Sequence, residues 1–125
     1  PLFPFGHGLS YTNYEYKNLK VEQEAGKVLC CLEVSNVGKF DGKEIIQCYI
    51  GSPITDKEEP IKTLQNFKKI KIKKGQTKRI KLKLNKRNFS YWDVNSKSWK
   101  IKKGDHEILI GSSSDKILLR NKISW

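Results

Sequence analysis

The chain contains no methionine, and no apolar run approaches the roughly 20 residues that a membrane-spanning helix requires. Residues 1–11 also lack the basic start and the continuous apolar core of a secretory signal peptide. We therefore expect a piece cut from a longer polypeptide, with no membrane partner. The length is 125 residues, of which 37% are hydrophobic and 30% charged, and this predicts one folded domain rather than a disordered chain.

Cysteine is scarce, and the three that are present, Cys30, Cys31 and Cys48, cannot all pair with one another. Their spacing matches no Cys/His metal site, so neither a metal nor another cofactor is predicted. Cys30 and Cys31 are adjacent on a predicted strand and point to opposite faces, and Cys48 could pair with either. Buried thiols are favoured over a bridge because free cysteine behaves as a small apolar side chain. This favours a reducing compartment, cytoplasmic rather than secreted.

Acidic residues are absent from one long stretch, and that stretch accounts for the whole net charge of +12. Between Lys62 and Arg87 there are 12 basic residues, whereas the rest of the chain balances 13 basic with 13 acidic residues. A hairpin predicted over residues 67–84 places five lysines on one face: Lys69, Lys71, Lys73, Lys81 and Lys83.

Lysines alone do not make a nucleic-acid-binding surface, because such surfaces interleave them with arginine and aromatic side chains. Both are scarce in this stretch, so the hairpin is predicted to be a solvated face with no specific nucleic acid partner. Polyanion binding is the alternative, and retention on heparin at physiological salt would reveal it.

Helical periodicity is also missing, because apolar residues recur at a period of two, which is typical of strands. Strands are predicted over residues 14–22, 27–35, 43–50, 67–72, 78–84, 98–101, 106–110 and 117–119. Glycine-containing turns are predicted at residues 36–38, 41–42, 74–75, 103–104 and 111–112, and a helical turn only at 85–88. Short strands separated by regular turns predict an all-β, two-sheet antiparallel sandwich.

Two segments resemble a known family. Residues 3–12 read FPFGHGLSYT, which resembles the (F/Y)PFG(Y/H)GLSYT signature between the central and last domains of glycoside hydrolase family 3 enzymes. Residues 36–50 are similar to the NTG…GxEVVQLYV pattern of that last, fibronectin type III-like domain. Further matches follow in order and spacing at residues 60–67, 73–76, 84–93 and 99–114. His106 departs from the usual Phe or Tyr, and Asn66 from a frequent Gly.

The resemblance implies an immunoglobulin-like, fibronectin type III-like sandwich over residues 14–125, after an inter-domain linker segment over residues 1–13. It implies a parent β-glucosidase or β-xylosidase that hydrolyses terminal β-glycosidic bonds, with its catalytic carboxylates before Pro1. The expected role is structural: to brace the catalytic domains of the same chain, with homodimer contacts as a second expectation. The linker residues predicted to dock between domains are Phe3, Phe5, Leu9 and Tyr11.

The residues themselves also predict no catalysis. A glycosidase needs two carboxylates at a set separation across the bond, and the nearest cluster, Asp93, Asp105 and Glu107, is predicted to be solvated. His7 and His106 have no nucleophile in a supporting sequence context. No catalytic residue is assigned.

A carbohydrate-binding module is the remaining alternative, because exposed tryptophans can stack on sugar rings. Strand phase predicts Trp99 in the core and favours burial of Trp92, while Trp125 is left open. A structural domain is therefore predicted in preference to a sugar-binding one, and affinity electrophoresis on soluble glucans or xylans would distinguish them.

Overall fold

The computed structural model describes residues 13–51 and 62–125, and these are mostly β-strand. The described strands are β1 (Tyr14–Glu24), β2 (Lys27–Asn36), β3 (Gly42–Gly51), β4 (Lys62–Ile72), β5 (Thr77–Asn85), β6 (Ser90–Asp93), β7 (Ser98–Ile101), β8 (Asp105–Ser113) and β9 (Lys116–Ser124). A 3₁₀ turn, Lys86–Phe89, joins β5 to β6. The all-β prediction is confirmed, including the helical turn after β5.

The strands form two antiparallel sheets and a separate hairpin. One sheet has the order β1-β2-β5, the other has the order β4-β3-β8-β9, and β6 pairs with β7. At one side of the sandwich, Gln23 Nε2 on β1 donates to the carbonyl of Ser124 on β9 at 3.1 Å. At the other side, Asn66 Nδ2 on β4 donates to the carbonyl of Lys83 on β5 at 2.9 Å. Both open sides of the sandwich therefore have hydrogen bonds from one sheet to the other.

The core lies between the two sheets and consists of the residues that alternate inward along each strand. From the three-stranded sheet these are Val28, Cys30, Leu32, Val34, Ile80, Leu82 and Leu84, and from the four-stranded sheet Ile46, Cys48, Ile50, Ile72, Ile108 and Ile110. Full burial of a large aliphatic side chain contributes roughly 1.5–3 kcal/mol. The alternation predicted from the sequence in β2 and β5 is confirmed.

The predicted hairpin over residues 67–84 is wrong. β4 pairs with β3 and β5 pairs with β2, so the chain passes from one sheet to the other between Ile72 and Thr77. Two strands that pair as a hairpin and two consecutive strands that lie in different sheets bury the same alternating residues. The local pattern therefore does not distinguish these two arrangements. Gly75, with φ of +77°, turns the chain at this corner, and its N–H donates to the carbonyl of Asn36 at 2.8 Å.

Several other boundaries differ from the sequence prediction, among them the start of β4 at Lys62 rather than at residue 67. The turn predicted at residues 111–112 is absent, because Gly111 lies inside β8, where the pairing with β9 shifts register. A Cβ at Gly111 would stand 2.1 Å from the carbonyl oxygen of Lys116, so the close approach of the two strands requires glycine here. β6 was not predicted, and β9 is longer than predicted.

Asn36 is a buried polar residue at the corner where the two sheets meet. Its side chain is 1% exposed, and its Nδ2 donates to the carbonyl of Ile72 at 3.0 Å and to that of Phe40 at 2.8 Å. Its Oδ1 accepts from the N–H of Gly38 at 3.0 Å. One amide therefore holds the end of β4 and the loop after β2, and it satisfies backbone groups that burial would otherwise leave unpaired.

Cys30 and Cys48 are fully buried on facing sheets, and Cys31 is half-buried; all three are free thiols. The hydrogen bond with the Cys30 thiol, together with burial, raises the pKa of Cys48. The thiols of Cys30 and Cys48 therefore pack as part of the core, as expected for free cysteines that behave as small apolar side chains.

Tyr16 and Glu44 form a further polar link between the sheets. The Tyr16 hydroxyl on β1 donates to Glu44 Oε2 on β3 at 3.0 Å, and the N–H of Ile45 donates to Glu44 Oε1 at 3.1 Å. Burial raises the pKa of Glu44, although both hydrogen bonds favour its charged form. Desolvation thus outweighs hydrogen bonding at this carboxyl.

We predict that Asn36→Ala lowers the free energy of unfolding by about 2–4 kcal/mol, because it leaves buried backbone groups unpaired. Asn36→Asp keeps the shape but turns an oxygen toward two carbonyl oxygens, so a comparable loss is expected. Urea unfolding measures both, with Asn121→Ala as the control, since the described hydrogen bond of that side chain is accepted from its own sequence neighbour, the N–H of Lys122. An Asn36→Asp variant as stable as the original chain would contradict the role given to Asn36.

We also predict a pH dependence from Glu44. Its pKa is raised in the folded chain, so the stability linked to its protonation is fully present below the unfolded pKa and is lost as the pH rises through the folded pKa. The free energy of unfolding should fall as the pH rises above about 4.5, the ordinary value for this side chain. Glu44→Gln should remove that part of the slope, whereas Glu22→Gln, on the exposed side of β1, should leave it. An unchanged slope in Glu44→Gln would contradict this assignment.

Candidate functional site

The predicted docking residues Phe3, Phe5, Leu9 and Tyr11 lie outside the described residues. The described chain begins at Asn13, whose carbonyl accepts a hydrogen bond from the N–H of Val37 at 2.9 Å. Val37 and Phe40, in the loop after β2, are 56% and 59% exposed. We call Val37 and Phe40 the entry patch, because the described chain begins beside it.

Of the three carboxylates singled out in the sequence, Asp105 is exposed, whereas Asp93 and Glu107 are partly buried and have basic partners. Asp93 Oδ2 is 3.0 Å from Lys100 Nζ, and Glu107 Oε2 is 3.6 Å from Arg120 Nη1. Asp105 is exposed at the start of β8. No group of three potential metal ligands occurs within residues 13–51 and 62–125. The described carboxylates therefore show no arrangement suited to acid/base catalysis or to metal binding.

His106, which stands where the family pattern usually has Phe or Tyr, is fully buried. Its Nε2 bonds to the carbonyl of Lys102 at 2.8 Å, and its ring stands edge-on to Phe89 with 5.6 Å between centroids. The imidazole therefore fills an aromatic position in the core, and the strand packs closely around it. It is not accessible as a catalytic group.

The lysines of the basic stretch do not share one face. Lys69 and Lys71 are exposed on β4, while Lys81 and Lys83 are exposed on β5, which belongs to the other sheet. The prediction of a single lysine face is therefore wrong, because it depended on a hairpin of β4 with β5, and these two strands lie in different sheets. Division over two sheets lowers the charge density that a polyanion would meet.

The β6–β7 hairpin presents two tryptophans to solvent, contrary to the sequence prediction. Trp92 and Trp99 are cross-strand partners, 50% and 46% exposed, and their rings meet edge-to-face with 5.6 Å between centroids. Burial was predicted from strand phase, but phase only assigns residues to a face. The hairpin is a two-stranded sheet of its own, and its tryptophan face is left partly open to solvent.

Arg87, from the 3₁₀ turn, covers one side of the tryptophan pair. Its guanidinium carbon lies 3.6 Å from the centroid of the Trp99 ring, within cation–π range. We call Arg87, Trp92 and Trp99 the aromatic patch. Sequence reasoning missed Arg87, although its place just before two tryptophan-bearing strands was the available signal.

The turn of the hairpin is held by Asp93. Its carboxylate accepts from the Ser96 hydroxyl at 2.8 Å and from the N–H of Asn95 at 3.3 Å. The hydrogen bond from Ser96, and then that from Lys100, lowers the pKa of Asp93. The aromatic patch therefore stands on a turn whose conformation is fixed by several local bonds.

A shallow groove adjoins the aromatic patch. Its lining includes four basic and no acidic side chains, and the basic ones are Lys86, Arg87, Lys100 and Lys103. Trp125, whose position was left open, also lines it and packs on Phe89 with 5.3 Å between ring centroids. This end of the sandwich is therefore both aromatic and basic.

Within the described residues, the structure has no helix long and apolar enough to cross a membrane. Two exposed surfaces of the described residues are candidates for a functional site: the entry patch and the aromatic patch. Neither contains a nucleophile beside a base, so both are suited to binding rather than to covalent chemistry.

Comparison with known proteins gives consistent matches. A family model described as "Fibronectin type III-like domain" matches residues 44–114. The chain is 39% identical over 127 residues to the thermostable beta-glucosidase B of Acetivibrio thermocellus, covering 98% of this chain and 17% of that protein. It is 41% identical over 115 residues to the xylan 1,4-beta-xylosidase of Xylanibacter ruminicola, covering 90% of this chain and 13% of that protein.

Solved structures agree with this match. The beta-D-glucoside glucohydrolase of Trichoderma reesei superposes with a TM-score of 0.85 at 29% identity, over 99% of this chain and 20% of that one. The GH3 beta-glucosidase of Bifidobacterium adolescentis gives a TM-score of 0.86 at 27% identity, over 97% and 18%. The chain thus spans a fifth or less of the length of each of these relatives.

Proposed function

The chain belongs to the fibronectin type III-like domain family, and from this membership we propose that it is a non-catalytic domain of a larger glycoside hydrolase family 3 enzyme. In that enzyme it braces the catalytic domains, which hydrolyse terminal β-glycosidic bonds as a β-glucosidase or β-xylosidase does. Its own contribution is surface contact rather than chemistry.

One observation carries the proposal: nearly all of this chain matches a small part of much longer glycosidases. The match covers 98% of the chain but 17% of a beta-glucosidase, and 90% of the chain but 13% of a beta-xylosidase. A sequence that aligns this way corresponds to one module of a larger polypeptide. The other modules then supply the active site.

The described side chains support a role without catalysis. A retaining or inverting glycosidase needs two carboxyl groups facing one bond, whereas Asp93 and Glu107 are paired with Lys100 and Arg120. A buried core, two exposed patches and scattered ion pairs are what a bracing domain requires.

We further propose that residues 1–13 are the linker from the preceding domain and that residues 14–125 are the bracing domain. Phe3, Phe5, Leu9 and Tyr11 would then dock between the two. Two observations nearby support this. The N–H of Val37 donates a hydrogen bond to the carbonyl of Asn13 at 2.9 Å, and Val37 and Phe40 expose apolar surface beside that point. Apolar linker residues arriving there would find an apolar partner surface.

The partner in this proposal is the remainder of the same chain. Domain interfaces within one polypeptide bury about 600–1,500 Å², so the entry patch would supply part of such an interface. Contacts between two copies of the parent enzyme stay a prediction, and polyanion and carbohydrate binding by this domain stay the alternatives to it.

We predict that deleting residues 14–125 from the parent enzyme lowers its melting temperature and solubility, because apolar surface is uncovered. At a temperature where both forms stay folded and monodisperse, kcat on an aryl glycoside should be retained. The isolated chain should release no aryl sugar above blank.

A milder change tests the same proposal in the intact parent. Val37→Ser with Phe40→Ser should lower the melting temperature, whereas the control Leu118→Ser, on β9 and 42% exposed, should not. A truncated enzyme that is equally stable but has lost kcat by orders of magnitude would show that this domain reaches the active site, and would contradict the proposal.

A further inference from the structure

The aromatic patch is not used by the role proposed for the entry patch, and the two lie far apart. Thr77, at the start of β5, pairs with Ser35, which is close to Val37 along β2. Asn85, at the other end of β5, pairs with Lys27 and leads into the 3₁₀ turn that carries Arg87. At about 3.3 Å per residue, β5 separates the two patches by roughly 27 Å. They stand at opposite ends of the sandwich.

The aromatic patch is organised before any partner arrives. Arg87 stacks on Trp99, Trp92 meets Trp99 edge-to-face, and Asp93 holds the turn below them. Ordered side chains lose less conformational entropy on binding, which favours association. Exposed apolar surface of this kind, rimmed by polar groups, marks a contact site.

The arrangement suits a protein surface better than a sugar ring. A pyranose stacks on an open, flat ring face, but one face of Trp99 is covered by Arg87, and the planes of Trp92 and Trp99 are inclined at 71°. Tryptophan, tyrosine and arginine are the side chains that dominate the energy of protein interfaces. Two of those three types make up this patch.

The charge around the patch indicates the chemistry of the partner. The adjoining groove is lined by Lys86, Arg87, Lys100 and Lys103 and by no acidic residue. Lys100 is paired with Asp93, whereas Lys86, Arg87 and Lys103 form no ion pair with another described residue. Complementary potential favours an acidic surface opposite the groove.

We propose that the aromatic patch is a second docking surface, and that it binds an acidic surface on the remainder of the parent chain. This inference rests on the proposed function, since the relatives extend far beyond the matched module. With the entry patch at one end and the aromatic patch at the other, the sandwich is held at both ends against the catalytic domains. A second copy that presents the same groove fits less well, because the described lining of the groove contains basic and no acidic side chains.

Hydroxyl-radical footprinting of the intact parent enzyme tests this directly. Docking excludes water from the centre of an interface, so Trp92 and Trp99 should be oxidised at least about fivefold more slowly than their intrinsic reactivity and exposure predict. Phe67, exposed on the outer face of β4, serves as the internal control and should react at its normal rate.

Charge reversal gives the second arm. Lys86→Glu combined with Lys103→Glu in the parent, which leaves Arg87 in place on Trp99, should restore the oxidation of both tryptophans and lower the melting temperature. The control pair Lys69→Glu and Lys71→Glu, on β4, should do neither. Oxidation of Trp92 and Trp99 at the full exposed rate in the unaltered parent would overturn the proposal. Retardation of that parent by soluble glucans, lost in Trp92→Ala, would then assign the patch to sugar binding instead.

This outcome is separable from that of the proposed function. If deletion of residues 14–125 destabilises the parent while the tryptophans react freely, only the second docking surface is wrong. If deletion leaves stability unchanged, the bracing role itself is wrong, whatever the footprint shows.

Discussion

The corner at which the chain leaves one sheet and enters the other depends on a single buried amide. Asn36 joins the end of β4, through Ile72, to the loop that carries Phe40, while its own backbone carbonyl accepts from Gly75. Without these bonds several backbone groups would be buried unpaired at the place where the sheets diverge. The NTG-like motif at residues 36–38 thus has a structural reason. The same amide fixes the loop that exposes the entry patch, so fold and docking surface share one support.

Much of the fold could be predicted from the sequence, because alternation in β2 and β5 records which side chains face the core. The pairing of β4 and β5 could not. Inward-facing Ile70 and Ile80 fit a hairpin and a crossing equally well, and the choice is made by contacts distant in sequence, such as that of Gly75 with Asn36. Gly111 shows the same limit. A glycine is required there because the backbone of Lys116 on β9 comes so close, and this contact cannot be recognised from the local sequence, which suggested a turn.

The candidate surfaces were predicted less well than the fold, for a related reason. Strand phase assigns Trp99 to a face, but whether that face is covered depends on the number of layers, and the tryptophan face of the β6–β7 hairpin stays half open. The prediction of a single lysine face was wrong because its lysines lie on two different sheets. That no residue acts as a catalytic group was predicted from carboxylate chemistry and stays a prediction; in the structure Asp93 and Glu107 form ion pairs with Lys100 and Arg120. The features that distinguish this domain are therefore its exposed surfaces, and the alternation of apolar residues does not predict which surfaces stay exposed.

The central claim, that the sandwich contributes docking surface and no chemistry, is tested most directly by adding it back in trans. The chain over residues 14–125, verified as folded by circular dichroism, would be titrated into a parent enzyme that lacks it. We expect saturable one-to-one association that raises the melting temperature of the truncated enzyme while kcat at a permissive temperature stays unchanged. Folded components that do not associate, or association that raises kcat by orders of magnitude without changing stability, would contradict the claim.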